Sequence, residues 1–212
     1  MAHYDLEEQE QIDSLRAWWG MYGNLVTALV TAASLAVVGW QGWNWYQNGQ
    51  AAKASAVYGV LEQAVQVGDA QRIKAAAGEL AEKYASTHYA ALGALQAAQH
   101  SFLAGDLKTA KVQLTWIVEN GKDEVRDLAR LRLAAILLDE QAYEMAASTL
   151  STAPVPAFMA RQQELLGDLH AAQGKRDEAK TAYRAALEKT GDKAGSGREL
   201  LQQKLDALGE SA

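Results

Sequence analysis

Four histidines, His3, His88, His100 and His170, are the side chains best suited to proton transfer or metal binding near neutral pH. They are scattered along the chain. None of His88, His100 and His170 has a metal ligand three or four positions further on, the spacing at which a helix presents two ligands to one ion. His88, beside Tyr89, reads as a helix start, and His170 as an imidazole packed where a repeat pattern places an aromatic. Ser196 lies in no Gly-x-Ser-x-Gly context, and Gly195-Ser-Gly197 lacks the partner residues of a phosphate-binding loop. Glu7-Glu8-x-Glu10 reads as solvated charge. The chain has no cysteine, which excludes disulfides, thiol catalysis and thiolate metal sites. No catalytic residue, metal site or cofactor site is therefore assigned. An enzyme would need a His/acid or Ser/His cluster assembled by the fold.

Binding surfaces are the alternative, and the elements that would carry them begin with Ala17 to Ala52, which contain no charged side chain. The centre, Leu25 to Val38, is apolar apart from two Thr and one Ser. Trp18, Trp19 and Tyr22 precede it, and Trp40, Trp43, Trp45 and Tyr46 follow it, so five of the six tryptophans fall in two clusters. A spanning helix needs ~20 apolar residues to cross roughly 30 Å of hydrocarbon. Amphipathic rings favour the headgroup depth at either end. The pattern predicts one transmembrane helix from Tyr22 to about Trp43, with both clusters as membrane-interface belts. Ala28, Ala32 and Ala36 fall four apart on one face, where small side chains would let another helix approach closely. That face is a candidate for packing against a partner helix or a second copy.

The start of the chain differs from a cleaved signal. Residues 1–17 carry five acids, Asp5, Glu7, Glu8, Glu10 and Asp13, against Arg16, so an acidic start replaces a basic one. The apolar stretch is also long and ends in bulky rings; Ala54-Ser55-Ala56 is only a formal cleavage match in an alanine-rich segment. An uncleaved signal anchor is expected. The acidic arm reads either as a solvated lead-in or as a docking arm for a basic surface. Of the net charge of −6, the arm holds −4, and the remaining 21 acids and 19 bases leave −2. A nearly neutral domain has no field that gathers phosphates, so no nucleic-acid partner is expected. Arg16 before the anchor and Lys53 after it balance, leaving orientation open by charge.

From Gln50 onward the composition is helical throughout, with two prolines, Pro154 and Pro156. Breaks fall at Val67-Gly-Asp69, Ala85-Ser-Thr87, Ala104-Gly-Asp106, Asn120-Gly121, Glu140-Gln141, Ala153-Pro154, Gln173-Gly-Lys175 and from Gly191 to Gly197. Gly68, Gly105, Gln141 and Gly174 recur at spacings of 37, 36 and 33. A period near 34 with two helices per unit is the mark of a tetratricopeptide array. The last unit carries Leu166-Gly167, Gly174, then Ala179, Tyr183 and Ala186 at the small-residue and aromatic positions. It departs from the pattern at Gln163, where tryptophan is usual, and at Gly191, where proline is usual. Middle units keep Ala98, Gly105 and Ala110, then Ala134 and Ala146, and the unit from about Ser55 to Tyr84 is degenerate. Arg198 to Leu208 predicts an amphipathic cap presenting Leu200, Leu201, Leu205 and Leu208. The expected fold class is all-α: a single N-terminal transmembrane helix followed by a tetratricopeptide-like helical-hairpin solenoid. The expected divisions are an arm (1–21), an anchor (22–46) and a repeat domain (47–212). The first helices of such an array line a concave groove, here placing Gln99, Phe102, Asp139, Arg161, Glu164 and Asp168 as candidates for holding a peptide or helix.

The two halves together resemble the YfgM family of Gram-negative bacteria, ancillary subunits of the SecYEG translocon. The similarity is most specific at Tyr4-Asp-Leu-Glu-Glu-Gln-Glu10, Leu15-Arg-Ala-Trp-Trp19, Tyr22-Gly-Asn24, Gly39-Trp40 through Tyr46-Gln47, and Gln50-Ala-Ala-Lys-Ala-Ser55. The resemblance implies a non-enzymatic, single-pass inner-membrane protein with its N-terminus in the cytoplasm and its repeat domain in the periplasm. It further implies partnership with the SecYEG translocon and the membrane-anchored periplasmic chaperone PpiD, handing on emerging secretory polypeptides. The runner-up is a membrane-anchored repeat adaptor of another envelope complex, in cytochrome maturation or outer-membrane assembly. A self-associating organiser using the alanine face is a further structural alternative.

Overall fold

The computed structural model describes residues 3–190 and 195–209, with side chains from Glu10 onward except at 195 and 196. The side chains of His3, Asp5, Glu7, Glu8 and Ser196, and residues 191–194 of the expected break from Gly191 to Gly197, lie outside the described residues; Gly195 to Gly197, expected in the break, instead open the last helix. Every regular element among the described residues is helical: α1 (His3–Val67), α2 (Ala70–Lys83), α3 (His88–Leu103), α4 (Leu107–Asn120), α5 (Asp123–Asp139), α6 (Tyr143–Leu150), a 3-10 turn (Pro156–Phe158), α7 (Met159–Ala172), α8 (Arg176–Lys189) and α9 (Gly195–Ala207). Contacts divide the chain into two units, Met1–Gln50 and Ala51–Ala212, with the division falling inside α1.

The first unit is helix with its apolar side chains turned outward. Leu25, Leu29, Val30, Leu35, Val37 and Val38 are all exposed, as are all seven aromatic residues of the two belts. From Tyr22 to Trp43 the rise is about 31 Å at 1.5 Å per residue, close to the hydrocarbon thickness of a bilayer. The stretch is long and apolar enough to cross a membrane. The hydroxyls within it are satisfied locally: Thr27 Oγ1 donates to the Gly23 carbonyl and Thr31 Oγ1 to the Thr27 carbonyl, both at 2.8 Å. An i−4 bond of this kind removes the cost of a bare hydroxyl in hydrocarbon. The Trp19 indole lies over Gly23, whose missing side chain would meet it at 3.1 Å.

Among the described residues, the second unit holds four helix hairpins that share one reversal. At each turn a residue within two positions of the end of the first helix has positive φ: Gly68 (71°), Gly105 (79°), Gln141 (60°) and Gly174 (74°). Two backbone bonds close each helix end. Gly68 N donates to Val65 O and Asp69 N to Ala64 O; Gly105 and Asp106 repeat the pair onto Phe102 and Ser101. Gln141 and Ala142, then Gly174 and Lys175, do the same. This is the Schellman arrangement, which needs a left-handed residue to bring the last carbonyls their donors. In the first two turns the next residue also caps the following helix: Asp69 accepts from Arg72 N at 3.1 Å and Asp106 from Thr109 N at 3.0 Å.

Small residues let the helices meet. Ala54, Ala77, Ala90, Ala110, Ala129, Ala134, Ala146, Ala179 and Ala186 have no exposed surface. A side chain at Gly93 would meet Leu80 at 2.5 Å, and one at Gly167 would run into the Tyr183 ring. Leu61 and Leu80 fill the first core with Ile73; Leu114 and Ile117 fill the next, with Trp116 packed against both. The degenerate first unit is thus a complete hairpin, formed by the last part of α1 and α2. Where Pro154 and Pro156 interrupt the chain, buried polar side chains take over the backbone bonding. Gln162 Nε2 donates to the Leu150 and Thr152 carbonyls at 2.7 and 2.9 Å, and Asp127 accepts from Val155 N at 2.8 Å. At the end of the array, Leu201 and Leu205 of α9 are buried with Ala179, Tyr183 and Ala186, and Leu208 packs beside them. Leu200 departs from the expected cap face, since it is exposed on the outside of α9.

Two substitutions test the turn. Gly105→Gln places a side chain in open space but in a left-handed conformation, and is expected to cost about 1 kcal/mol. Gln141→Gly relieves the same strain and should raise stability by about 0.5 kcal/mol after the added chain entropy of glycine. Thermal unfolding of the full chain in detergent should show the two melting temperatures moving in opposite directions. Gly167→Ala should cost about 1–3 kcal/mol, because the Tyr183 ring must be displaced.

Candidate partner-binding surfaces

The six groove candidates separate into two places. Gln99 and Phe102 of α3 and Asp139 of α5 line one cleft of about 320 Å³, together with Ala98, Leu103, Leu114, Arg132, Ala135 and Ile136. The floor is apolar, supplied by alanines, Leu114 of α4 and Ile136. The wall is formed by Phe102 and Leu103, which stay 46 % and 76 % exposed although both are large and apolar. Arg132 and Asp139 stand two helical turns apart at the rim and, among the described residues, form no ion pair with each other or with a neighbour. Leu103 and Arg132 were not among the sequence candidates. Arg132 was legible, seven residues before Asp139 on the same face; Leu103 carried no signal, because a leucine beside a turn reads as core.

Arg161, Glu164 and Asp168 lie along α7 in a cluster closed by α9. Lys204 Nζ donates to Glu164 Oε1 at 2.8 Å and to both Asp168 carboxylate oxygens at 2.7 and 2.9 Å. The Tyr183 hydroxyl donates to Asp168 Oδ1 at 2.7 Å, and Arg161 pairs with Glu164 at 2.6 Å. Lys204 also sits 5.6 Å from the centre of the Tyr183 ring. The carboxylates expected on an open groove are thus partnered within the chain, and only Arg161 remains on the exposed rim. Lys204 is the residue that decides this, and its partners lie 36 and 40 positions away, beyond any local pattern.

The electrostatics follow from that enclosure. Burial pushes the Tyr183 hydroxyl well above the ordinary phenol range, and its bond to Asp168 adds to the shift. Burial alone would raise Glu164, but bonds from Lys204 and Arg161 outweigh it and hold the carboxyl below its ordinary value of 4.5. A carboxylate depressed on folding contributes stability that is complete above its unfolded value and disappears as pH falls through the folded one. Acid should therefore loosen α9 from α7 and α8. In melts between pH 7 and pH 3, the full chain should lose stability below about pH 4.5, and Glu164→Gln should show a shallower loss across the same window.

The histidines remain apart. His88 is exposed at the first turn of α3, and His100 is half-buried near the other end of that helix. His170 is half-buried in a shallow hollow lined by Gln163, Leu166, Asp177 and Glu178, and its buried Nδ1 has no partner among the described residues. No group of three or more His, Cys, Asp or Glu able to hold a metal occurs among the described residues. Ala28, Ala32 and Ala36 are exposed along α1.

Comparison with known proteins agrees with this architecture. Residues 16–210 match the family described as tetratricopeptide repeat-like domain. A protein of Neisseria gonorrhoeae named ancillary SecYEG translocon subunit is 35 % identical over 208 residues, covering 96 % of this chain and 98 % of the relative. Proteins with the same name from Haemophilus influenzae and Escherichia coli K12 are 30 % and 27 % identical, over 94 % and 95 % of this chain and 95 % and 96 % of their own lengths. No solved structure matches. Near-complete coverage by these relatives, spanning both the apolar helix and the hairpin array, means that the chain belongs to the YfgM family of ancillary SecYEG translocon subunits.

Proposed function

We propose that this protein is a non-enzymatic scaffold anchored in the inner membrane by α1 and associated with the Sec translocon. The observation that carries this reading is the near-full-length similarity to relatives named as translocon subunits, which includes the membrane helix as well as the repeats. A repeat array alone would leave function open, since such arrays serve many roles. In this reading the N-terminal arm lies in the cytoplasm and residues from about 47 onward form a periplasmic domain. The outward apolar face of α1, including Ala28, Ala32 and Ala36, packs in the bilayer against a translocon or chaperone anchor. The hairpin array holds a membrane-anchored chaperone of the PpiD type, or an emerging secretory polypeptide, and assists its handover. Such work needs surface and position rather than bond making.

Photo-crosslinking in intact cells tests the reading, with probes at Ala32, Phe102 and Arg161 and adducts identified by mass spectrometry. Adducts from Ala32 to translocon or chaperone subunits are expected. Adducts solely to itself, or to a cytochrome-maturation or outer-membrane-assembly complex, would reject it. Because the chain lacks cysteine, single Asp13→Cys and Gln202→Cys variants report orientation. A membrane-impermeant maleimide applied from the periplasmic side should label Gln202→Cys and leave Asp13→Cys unlabelled.

A further inference from the structure

The cleft between α3 and α5 combines three features. Phe102 and Leu103 are large, apolar and exposed; Leu114 and Ile136 give an apolar floor; and Arg132 and Asp139 put opposite charges at the rim, unpaired among the described residues. A volume of about 320 Å³ lies at the lower end of the ~300–1,000 Å³ range of ligand sites. It can take one or two side chains, but a whole helix about 10 Å across cannot enter.

From the apolar cleft and the two rim charges we infer that it is a docking site for an extended segment of another polypeptide, with an acidic and a basic side chain three positions apart around a bulky apolar one. This deepens the scaffold reading and rests on it. The spacing argument is geometric. Arg132 and Asp139 are seven residues apart on one helix face, about 10 Å along its axis. In an extended polyproline-II segment, residues i and i+3 share a face about 9 Å apart, so one can face each rim charge. With three residues per turn, the intervening apolar side chain is turned about 120° from that shared face, so a segment lying along the α5 rim can direct it inward to Leu114 and Ile136. The charges select polarity, while exclusion of water from Phe102 and Leu103 supplies the attraction.

The test uses the full chain in detergent micelles and four fluorescent peptides with the cores Glu-Leu-Ser-Lys, Glu-Ser-Ser-Lys, Glu-Leu-Ser-Glu and Lys-Leu-Ser-Lys. Binding is read by anisotropy. The first peptide should bind about tenfold more tightly than the other three, as exchanging one exposed ion pair for a like-charge contact, or losing one buried apolar side chain, would give. Arg132→Glu should transfer the preference to the doubly basic peptide, and Asp139→Lys to the doubly acidic one. Phe102→Ser, at an exposed position, should weaken the three leucine-containing peptides. Equal binding of all four, or a preference that neither charge reversal changes, would overturn the assignment. Co-purification of the same variants with the translocon separates the two claims. If co-purification persists without peptide selection, the cleft assignment fails and the scaffold stands; if peptides are selected without co-purification, the scaffold reading fails.

Discussion

A chain that must reverse direction after each first helix, within three residues and without leaving carbonyls bare, has few solutions. The hairpins all use the same one, a left-handed residue followed by a donor that closes the helix end. Glycine fills three of the four positions because it alone has no side chain to crowd the following carbonyl. Gln141 occupies the fourth and accepts that crowding. Where aspartate follows, at Asp69 and Asp106, one residue ends the reversal and begins the next helix. Turns this short force the paired helices to pack antiparallel, so the alanine faces meet with little freedom of register.

Close approach is the second consequence. Helices joined by such turns touch along alanine and glycine, as Gly93 against Leu80 and Gly167 against Tyr183 show. Successive hairpins leave an unfilled end, and α9 covers it with Leu201 and Leu205. The same helix carries Lys204 across to Glu164 and Asp168, so the hydrophobic cap and the ion cluster act at one place. The cleft at α3 and α5, farther from that cap, keeps its apolar wall exposed and, among the described residues, its rim charges unpaired.

The first unit obeys the opposite rule. Its leucines, valines and rings face outward, and its hydroxyls turn back onto their own helix. That arrangement suits hydrocarbon and would be costly in water. One chain thus joins a helix long and apolar enough to cross a membrane to a helical-repeat domain.

The long apolar N-terminal helix, the reversals at Gly68, Gly105, Gln141 and Gly174, and the all-helical class were legible in the residues. Each depends on local signals: an uncharged stretch between two aromatic belts, glycine at a fixed spacing, and alanine at helix contacts. Gly105 and Gly174 announced their turns because few other residues tolerate that backbone; Gln141 was found only by its place in the repeat. The use of the groove residues was not legible. Phe102 and Asp139 share an open cleft, whereas Glu164 and Asp168 are held by Lys204, and local sequence distinguishes these fates poorly. A carboxylate's partner is set by which distant helix packs over it, and that is decided only when the hairpins stack. By itself the sequence determined which segments are helices, where they reverse and which one suits a membrane, because these follow from side-chain size, backbone freedom and hydropathy. The tertiary structure alone decided which charges are consumed within the chain and which face outward, because pairing across dozens of residues depends on packing.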